Sequence, residues 1–315
     1  MSGQRAAAEP YATRFETEVT AIDGRRVWLE RSHFYGASGG QPADRGTIGD
    51  VEVVDVRLVD GEQVHELAAE PSLRTGRSVL CSIDWSFRMY CMRAHTASHV
   101  LYGAARRLLE DVSYAGFEIG EDEETVRLGL ETSSPVDDET LLELDRLVNR
   151  TVWESRSVSW DDVPVAEARE RDDVTFDETT ADDAVQKGRV RLVTIGGKDE
   201  NGNANGSSRL RGGFTVGGGG DPWDVSACGG THVRNTREIG PVTILGGSCA
   251  DDITQIELAV GPRAIEHRTA EKRAAFAATR TLETNVDAVP DELERVADDG
   301  TDRRRPVRRG GGNAE

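Results

Sequence analysis

Lysine is almost absent from this chain of 315 residues. Only Lys187, Lys198 and Lys272 occur, so nearly all of the basic charge is carried by arginine. Acidic residues outnumber basic ones by 57 to 38, which gives a formal net charge of −19 at pH 7. The chain therefore lacks the broad basic surface that normally supplies affinity for nucleic-acid phosphates. The acidity needs an explanation of its own.

An acidic, lysine-poor surface suits a salt-rich cytoplasm. At about 1 M salt the electrostatic screening length falls to roughly 3 Å, so repulsion between the protein and a polyanion acts only over a short range. We therefore predict a halophilic protein from a haloarchaeal source that unfolds at low ionic strength.

Cysteine is scarce and long apolar runs are missing. Cys81, Cys91 and Cys249 lie among apolar neighbours, which predicts buried thiols rather than a disulfide framework. No stretch of eighteen or more apolar residues occurs, and no apolar segment follows a basic start, so neither membrane insertion nor secretion is predicted. We expect a cytoplasmic protein with no membrane partner and room for two modest domains.

Short runs of alternating apolar and polar residues dominate the first part of the chain. They occupy residues 15–21, 26–30, 51–58, 64–67 and 78–83. Hairpin-type turns, Asp23-Gly24 and Asp60-Gly61, separate some of these runs. The pattern predicts a small β-barrel-like N-terminal domain over residues 1–88.

Helical spacing begins near Trp85 and predicts a helix of five or six turns, followed by a second amphipathic helix over residues 136–155. Three apolar runs, at residues 190–195, 242–245 and 253–260, predict strands. We therefore expect an α+β fold, in which the barrel-like domain precedes an α+β core over residues 89–267.

Two segments depart from this pattern. Residues 196–220 are mostly Gly, Asn and Ser, which is typical of a flexible insertion. Residues 268–315 are expected to continue a helix that begins near Glu266 and reaches about Asp299, and then to end in a disordered basic tail.

Two pairs of metal-ligand side chains share the same spacing. His95 and His99 are four residues apart on the first predicted helix, so their imidazoles lie on one face. Cys228 and His232 repeat that spacing more than a hundred residues later. Three nitrogens and one sulfur suit Zn²⁺ better than Ca²⁺ or Mg²⁺, which prefer oxygen. The sequence therefore predicts one zinc ion held by all four side chains.

The residues around these pairs resemble the zinc motifs of the alanyl-tRNA editing domain family. The matching segments are Arg93-Ala94-His95-Thr96-Ala97-Ser98-His99 and Ala227-Cys228-Gly229-Gly230-Thr231-His232-Val233-Arg234-Asn235-Thr236. A third segment, Phe34-Tyr35-Gly36-Ala37-Ser38-Gly39-Gly40-Gln41-Pro42-Ala43-Asp44, is similar to the family's glycine-rich loop. Such domains occur inside alanyl-tRNA synthetase and as free-standing AlaX-type proteins, and a related form occurs in threonyl-tRNA synthetase.

The resemblance implies a zinc-dependent aminoacyl-tRNA deacylase that acts in trans on the acceptor end of tRNA(Ala) rather than on DNA. Its main expected substrate is Ser-tRNA(Ala), with tolerance of glycine left open. Gly39, Gly40 and Gln41 are expected near the scissile ester as the catalytic group. Ser32 falls where the family usually has threonine and is the expected reader of the substrate's serine hydroxyl, with Thr231 and Arg93 as further substrate-binding residues.

Several alternatives stay open at this stage. The chain could be a non-catalytic zinc-stapled tRNA-binding module, or a detached synthetase fragment that needs a partner. Four protein ligands would close a tetrahedral site, so the metal could either activate water or only position the tRNA end. No similarity to the class II aminoacylation core is expected, and the oligomeric state is left open.

Overall fold

The structure of the protein is a computed structural model that describes residues 5–59, 61–123, 125–176, 188–196, 221–250 and 252–302. The insertion predicted up to residue 220 lies outside these residues from 197 onward, and so does the basic tail from 303 onward; both stay predictions. The chain divides into two compact units, Met1–Ala264 and Ile265–Glu315.

Six antiparallel strands form a closed barrel near the N-terminus, in the order β1-β2-β5-β4-β3-β6. The strands are β1 (Arg14–Asp23), β2 (Arg26–Leu29), β3 (Gly46–Ile48), β4 (Val51–Val59), β5 (Glu62–Leu67) and β6 (Ser78–Ile83). Alternate residues such as Val19, Val53 and Cys81 fill the interior with essentially no exposure, as the two-residue period of a strand requires. The barrel-like fold predicted for this part of the chain is confirmed, while its extent as a separate domain over residues 1–88 stays a prediction.

The segment before the barrel is not part of it. A short helix, α1 (Arg5–Ala8), places Ala6 and Ala7 in buried positions. The Tyr11 hydroxyl then donates to Glu238 at 2.5 Å and accepts from the backbone N–H of Arg234 at 3.1 Å. These contacts join the N-terminal segment to residues that lie more than two hundred positions later.

A long helix, α2 (Trp85–Leu108), forms the centre of the core. It begins after Asp84, whose side chain accepts the backbone N–H groups of Ser86 and Phe87 and so caps the first turn. Most of its residues are buried on every side, which is the mark of a helix enclosed by other elements rather than lying on a surface.

Two four-stranded sheets and a second helix enclose α2. One antiparallel sheet has the order β13-β14-β8-β7, and the other has the order β10-β12-β11-β9 with β10 parallel to β12. The elements are β7 (Ser113–Ile119), β8 (Val126–Glu131), α3 (Asp138–Trp153), β9 (Val158–Pro164), α4 (Val165–Arg169), β10 (Val174–Thr175), β11 (Arg189–Ile195), β12 (Asp224–Ala227), β13 (Val242–Ala250) and β14 (Ile253–Val260). The predicted α+β fold class is confirmed.

The prediction that Cys249 is a buried thiol is wrong. Cys81 and Cys91 are buried, whereas Cys249 is exposed. It pairs with Thr254 beside the turn that joins β13 to β14, and the last four residues of β13 are exposed. An apolar sequence neighbourhood does not bury a side chain where a hairpin extends beyond its core.

The second unit carries two helices where the sequence pattern predicted one. Helix α5 (Pro262–Leu282) ends at Glu283, which has a positive φ of 52°, and α6 (Val289–Asp302) follows a short 3-10 turn. Asn285 caps that turn by accepting the backbone N–H of Ala288, which stabilises the break. No helix in the described part of the chain is long and apolar enough to span a bilayer.

Candidate metal centre

The four predicted metal ligands meet at one point in the structure. His95 and His99 lie one turn apart on α2 with stacked rings, and Cys228 and His232 follow the end of β12. The ligand atoms of all four residues lie within 4.8 Å of one another, and each of the four residues is at most 9 % exposed. The local spacing of each pair and the fold of the core together build the cluster.

The spacing within the cluster fits a tetrahedral zinc site. Cys228 Sγ lies 3.3 Å from Nε2 of His95 and 3.3 Å from Nε2 of His232. Zinc bonds of about 2.3 Å to sulfur and about 2.0 Å to nitrogen, at tetrahedral angles, place the two atoms about 3.5 Å apart. The donor set and the observed distances therefore both suit Zn²⁺.

Gln41 connects His95 to the second motif. The backbone N–H of Thr231 donates to Gln41 Oε1 at 3.0 Å, which identifies that atom as the oxygen, and Gln41 Nε2 donates to the Thr231 hydroxyl at 2.9 Å. The same Oε1 lies 3.0 Å from Nδ1 of His95, so Nδ1 must carry the proton. Nε2 of His95 is then free to bind metal.

The other two imidazoles are oriented in the same way. The Thr96 hydroxyl donates to the carbonyl of Met92 at 2.7 Å, so its oxygen accepts from Nδ1 of His232 at 3.3 Å. Nδ1 of His99 donates to Asp224 Oδ2 at 2.9 Å. Each histidine therefore presents Nε2 to the centre, and a hydrogen bond from Nδ1 fixes each ring, as in other histidine metal sites.

Electrostatics favour a thiolate at Cys228. Burial alone raises its pKa, but the charges of His95 and His232 and their hydrogen bonds outweigh burial and hold the pKa well below the ordinary value. For His99, burial opposes protonation, while hydrogen bonds to Asp224 and Cys228 outweigh it and raise the pKa to about 10. A metal ion that takes the place of this proton would release it on binding.

Gly230 allows His95 to reach the cluster. A Cβ on Gly230 would lie 2.0 Å from Cε1 and 2.2 Å from Nδ1 of His95, whereas a Cβ on Gly229 would meet nothing within 4 Å. Arg191 also holds this turn, because its guanidinium donates to the carbonyls of Cys228 and Gly230 at 2.8 and 3.1 Å. The turn is therefore held against α2 both by its shape and by hydrogen bonds.

The glycine-rich loop lines a cavity next to the cluster. Residues 37–42 and 118–121 surround a space of about 340 Å³. Gly40 has a φ of +75°, and a Cβ there would lie 1.9 Å from the carbonyl oxygen of Phe117. The N–H groups of Gly39 and Gly40 donate to no acceptor within the described ranges. Two backbone donors are thus available beside the cavity.

Ser32 lies in the barrel, where its hydroxyl is 2.8 Å from Nε2 of His65. Nδ1 of His65 lies 3.1 Å from the carbonyl of Val27 and must donate to it, so Nε2 accepts a hydrogen bond from the Ser32 hydroxyl. The backbone N–H of Phe34 donates to the same hydroxyl at 3.1 Å. Ser32 therefore has one lone pair left, with which it can accept but not donate a hydrogen bond.

The Arg93 side chain, on the same helix as His95 and His99, contacts a group outside the metal cluster. Its Nε donates to the carbonyl of Glu238 at 2.9 Å. The structure thus joins Gln41 and Thr231 directly to the metal ligands, while Ser32 and Arg93 contact other groups. The substrate-binding roles of Ser32, Thr231 and Arg93 and the catalytic role of Gln41 stay predictions.

Comparison with known proteins places the chain among tRNA synthetase domains. Residues 190–256 match the model of the threonyl and alanyl tRNA synthetase second additional domain, and residues 5–87 match the model of class II (A) tRNA synthetases. The chain is 31% identical to alanine–tRNA ligase of Pyrococcus abyssi over 306 residues and 34% identical to that of Aeropyrum pernix over 278 residues. It is also 31% identical to the Halobacterium salinarum enzyme over 316 residues.

The chain belongs to the alanyl-tRNA editing domain family. These alignments cover 95%, 85% and 95% of the chain, but only 30%, 27% and 30% of the three ligases. The chain thus spans less than a third of the length of these curated relatives. Residues 5–87, which match the class II (A) tRNA synthetase model, form the barrel and the segment before it.

Sequence reasoning missed several residues that support this editing-family site. Asp224 stands four residues before Cys228, Thr96 lies between the two histidines of α2, and His65 lies in β5. Each is a polar side chain next to an apolar residue, a pattern too common in the chain to have indicated them. Nothing in their spacing indicates which distant group they contact.

Proposed function

We propose that this chain is a trans-editing hydrolase that deacylates mischarged tRNA(Ala), chiefly Ser-tRNA(Ala). One observation carries the proposal: Gln41 of the glycine-rich loop bonds both to His95 of the first metal pair and to Thr231 beside the second. Three separate motifs of the editing family therefore form one connected site. The ligase names of the relatives also support alanine tRNA as the substrate.

Ester hydrolysis requires an activated water and stabilisation of the oxyanion that develops on the carbonyl oxygen. Zn²⁺ held by His95, His99, Cys228 and His232 would supply Lewis-acid chemistry at the ester or at the attacking water. The protein prepares the site for this ion, because hydrogen bonds to Gln41, Thr96 and Asp224 keep the three imidazoles in the tautomer that binds metal.

Gly39 and Gly40 are suited to the oxyanion. Both residues line the cavity, and the close approach of Gly40 to the carbonyl of Phe117 holds the loop in place. Such backbone donors need no reorganisation during the reaction, and one donor of this kind contributes about 3 kcal/mol to transition-state stabilisation. Gln41 Nε2 gives one of its two N–H groups to Thr231, and Oε1 bonds to His95, so we assign Gln41 to holding the loop against His95, with its second N–H available to the ester.

Ser32 is suited to distinguish serine from alanine. Because the Ser32 hydroxyl donates its hydrogen bond to His65, the Ser32 oxygen can accept a hydrogen bond from the hydroxyl of a seryl group, and alanine offers no such donor. A site that bonds a hydroxyl discriminates far better than an apolar pocket of the same shape. We keep Arg93 as a group for the tRNA end, since only its Nε has a described acceptor.

Replacing Ser32 by alanine should lower the preference for seryl- over alanyl-tRNA(Ala) by about tenfold, the worth of one hydrogen bond. The measurement is kcat/KM for each aminoacyl-tRNA. Ser32→Thr keeps the hydroxyl and should retain the preference. An unchanged ratio in Ser32→Ala would remove the assignment of Ser32 as the reader.

The function itself is tested with the purified chain and seryl- and alanyl-tRNA(Ala) at high salt, with and without a chelator. We expect rapid loss of the seryl group only, abolished by the chelator and restored by Zn²⁺. Cys228→Ser, which replaces a soft ligand by a hard one, should bind less zinc and deacylate more slowly. Binding of tRNA without deacylation would indicate the non-catalytic module, and activity only with a co-purified protein would indicate a synthetase fragment.

A further inference from the structure

A group of arginines surrounds the indole of Trp223. The guanidinium of Arg107 lies 4.0 Å from the ring centroid, and that of Arg156 lies 4.9 Å from it. Arg106 precedes Arg107 in the last turn of α2, and Arg150 of α3 shares the carboxylate of a neighbouring glutamate with Arg156. We call Arg106, Arg107, Arg150 and Arg156 the arginine cluster.

Negative charge does not balance the arginine cluster. Glu154 bridges Arg150 and Arg156 at 3.1 and 2.7 Å, so one carboxylate serves two guanidiniums. Arg106 and Arg107 form no ion pair in the part of the chain that the structure describes; their contacts are with an aromatic ring and with backbone carbonyls. Asp221 and Asp224 also act on Arg107.

Of these two aspartates, Asp224 is already committed to His99 and Ser226. Three carboxylates oppose the four guanidiniums, namely those of Glu154, Asp221 and Asp173, the last of which interacts with Arg106. The cluster therefore keeps an excess of one positive charge in a chain whose net charge is −19. Elsewhere on the surface, Arg25, Arg127 and Arg146 each have a glutamate partner of their own. Burial, followed by the like charges of Arg156 and Arg106, lowers the pKa of Arg107.

The helix end accounts for only part of this arrangement. Positive side chains are favourable in the last turn of a helix, and that applies to Arg106 and Arg107. Arg150 and Arg156 come from α3 and from the segment before β9, so the dipole of α2 does not place them. Three parts of the chain converge to collect positive charge at one place.

The cluster lies beside the metal centre. The indole N–H of Trp223 donates to the carbonyl of Val100, one residue after His99, and the next residue in the chain, Asp224, orients His99. Gly103 lies one turn further along α2, and a Cβ there would lie 2.5 Å from Trp223 Nε1. The indole therefore packs directly on the helix that carries two of the metal ligands.

We propose that the arginine cluster binds phosphates of the RNA backbone next to the acceptor end. The inference rests on the proposed function, because that function brings a polyanion to the metal centre. Guanidinium groups bond phosphate through two parallel N–H donors and are weakly hydrated. A local excess of such groups can bind RNA where the rest of the surface repels it, since screening limits the repulsion to short range.

The test uses Arg106→Gln, Arg150→Gln and Arg156→Gln, singly and together. Arg107 stays in place because it donates to the carbonyls of Gly103 and Trp223. Arg146→Gln is the matched control, since Arg146 lies on α3 with 58% of its side chain exposed, against 62% for Arg150. The probe is a deacylated tRNA(Ala) transcript, and its affinity is measured over a series of KCl concentrations at which the protein remains folded.

Each substitution that removes a phosphate contact should reduce the slope of log K against log [KCl] by roughly 0.7 to 0.9. We expect the triple variant to bind about 10- to 100-fold more weakly than Arg146→Gln at the lowest of these salt concentrations. Equal slopes and affinities in the triple variant and the control would overturn the proposal. Competition by polyglutamate as strong as competition by tRNA would also overturn it, because the surface would then bind any polyanion.

Deacylation separates this inference from the proposed function. With seryl-tRNA(Ala), the triple variant should raise KM and leave kcat near the wild-type value, while hydrolysis of a seryl ester of adenosine, which has no RNA backbone, should not change. If the wild-type chain hydrolyses neither ester, the proposed function fails, and the salt slopes still decide the role of the cluster.

Discussion

At the scale of single residues, the hydrogen-bond partners of the metal ligands are as informative as the ligands. His95, His99 and His232 each use Nδ1 for a different group: an amide oxygen, a carboxylate and a hydroxyl. A rotation of any ring would break one of these bonds as well as a metal bond. Partners of this kind typically change metal affinity 10- to 100-fold, so the site depends on more side chains than its four ligands.

Gly230→Ala should weaken zinc binding by at least about tenfold, because the new methyl would occupy the place of the His95 ring. Gly229→Ala is the matched control, since its Cβ would meet nothing within 4 Å. Zinc affinity measured by competition with a chelator checks both variants. Equal affinities would show that the turn can move away from α2 without loss of the site.

His65 should make the protein sensitive to acid. Burial lowers its pKa from 6.5 to about 4, so below pH 6.5 the unfolded chain takes up a proton here that the folded chain refuses until pH approaches 4. The stability from this group is complete above about pH 6.5 and falls by about 3 kcal/mol as pH drops toward 4.

Urea unfolding at several pH values measures this effect. In His65→Gln the free energy of unfolding should depend less steeply on pH, because one fewer proton is taken up on unfolding. His267→Gln, which removes an exposed histidine, should not have this effect. A wild-type stability that does not fall between pH 6.5 and 4 more steeply than that of His65→Gln would contradict the assignment.

At the scale of elements, a buried ion pair joins the barrel to α2. Arg88 of α2 donates through Nε to Asp44 at 2.9 Å and also to the backbone carbonyls of Pro10 and His33, both at 2.7 Å. Asp44 in turn accepts the backbone N–H of Tyr35. One guanidinium therefore anchors the N-terminal segment and both ends of the glycine-rich loop, and so determines where Gly39 to Gln41 lie relative to the metal ligands.

Arg88→Leu should destabilise the fold by about 3 to 5 kcal/mol, because Asp44 would remain buried without its partner. Arg57→Leu is the comparison, since Arg57 pairs with Asp55 on the surface, where solvent screens the pair and its loss should cost far less stability. The free energy of unfolding in urea gives both values. Similar losses in the two variants would show that the buried pair does not connect the elements.

At the scale of the whole molecule, the charge of −19 dominates the electrostatics. Self-repulsion of this size disfavours the compact state, and salt screens it. The arginine cluster is a local exception to this field. The same screening that stabilises the fold would also allow an RNA backbone to approach.

The melting temperature should rise steadily with KCl, and the chain should unfold in dilute buffer. Sucrose serves as the control, because it favours the folded state by exclusion from the surface and does not screen charge. It should not replace KCl at low ionic strength. Full stability and activity in dilute buffer would remove the prediction of a halophilic protein.

Local patterns predicted much of the fold. Five of the six barrel strands, α2 and the strands at residues 190–195 and 253–260 follow from alternation or helical spacing, and the structure has them at nearly the same residues. Strands β3, β7, β8, β9, β10 and β12 were not predicted. β12 is buried at every position, and Gly116 and Gly129 interrupt the neighbouring pair β7 and β8, so neither shows a clean period of two.

The sequence by itself determined which side chains could bind a metal, because a spacing of four on a helix and the Cys-Gly-Gly-Thr-His turn are local properties of the chain. The tertiary structure decided that the two pairs meet, although His95 and Cys228 are 133 residues apart in the chain. It decided as well which nitrogen of each imidazole faces the metal centre. It also decided that Ser32 accepts a hydrogen bond rather than donates one. These outcomes depend on contacts between distant residues, and a local period contains no information about which distant groups will be neighbours.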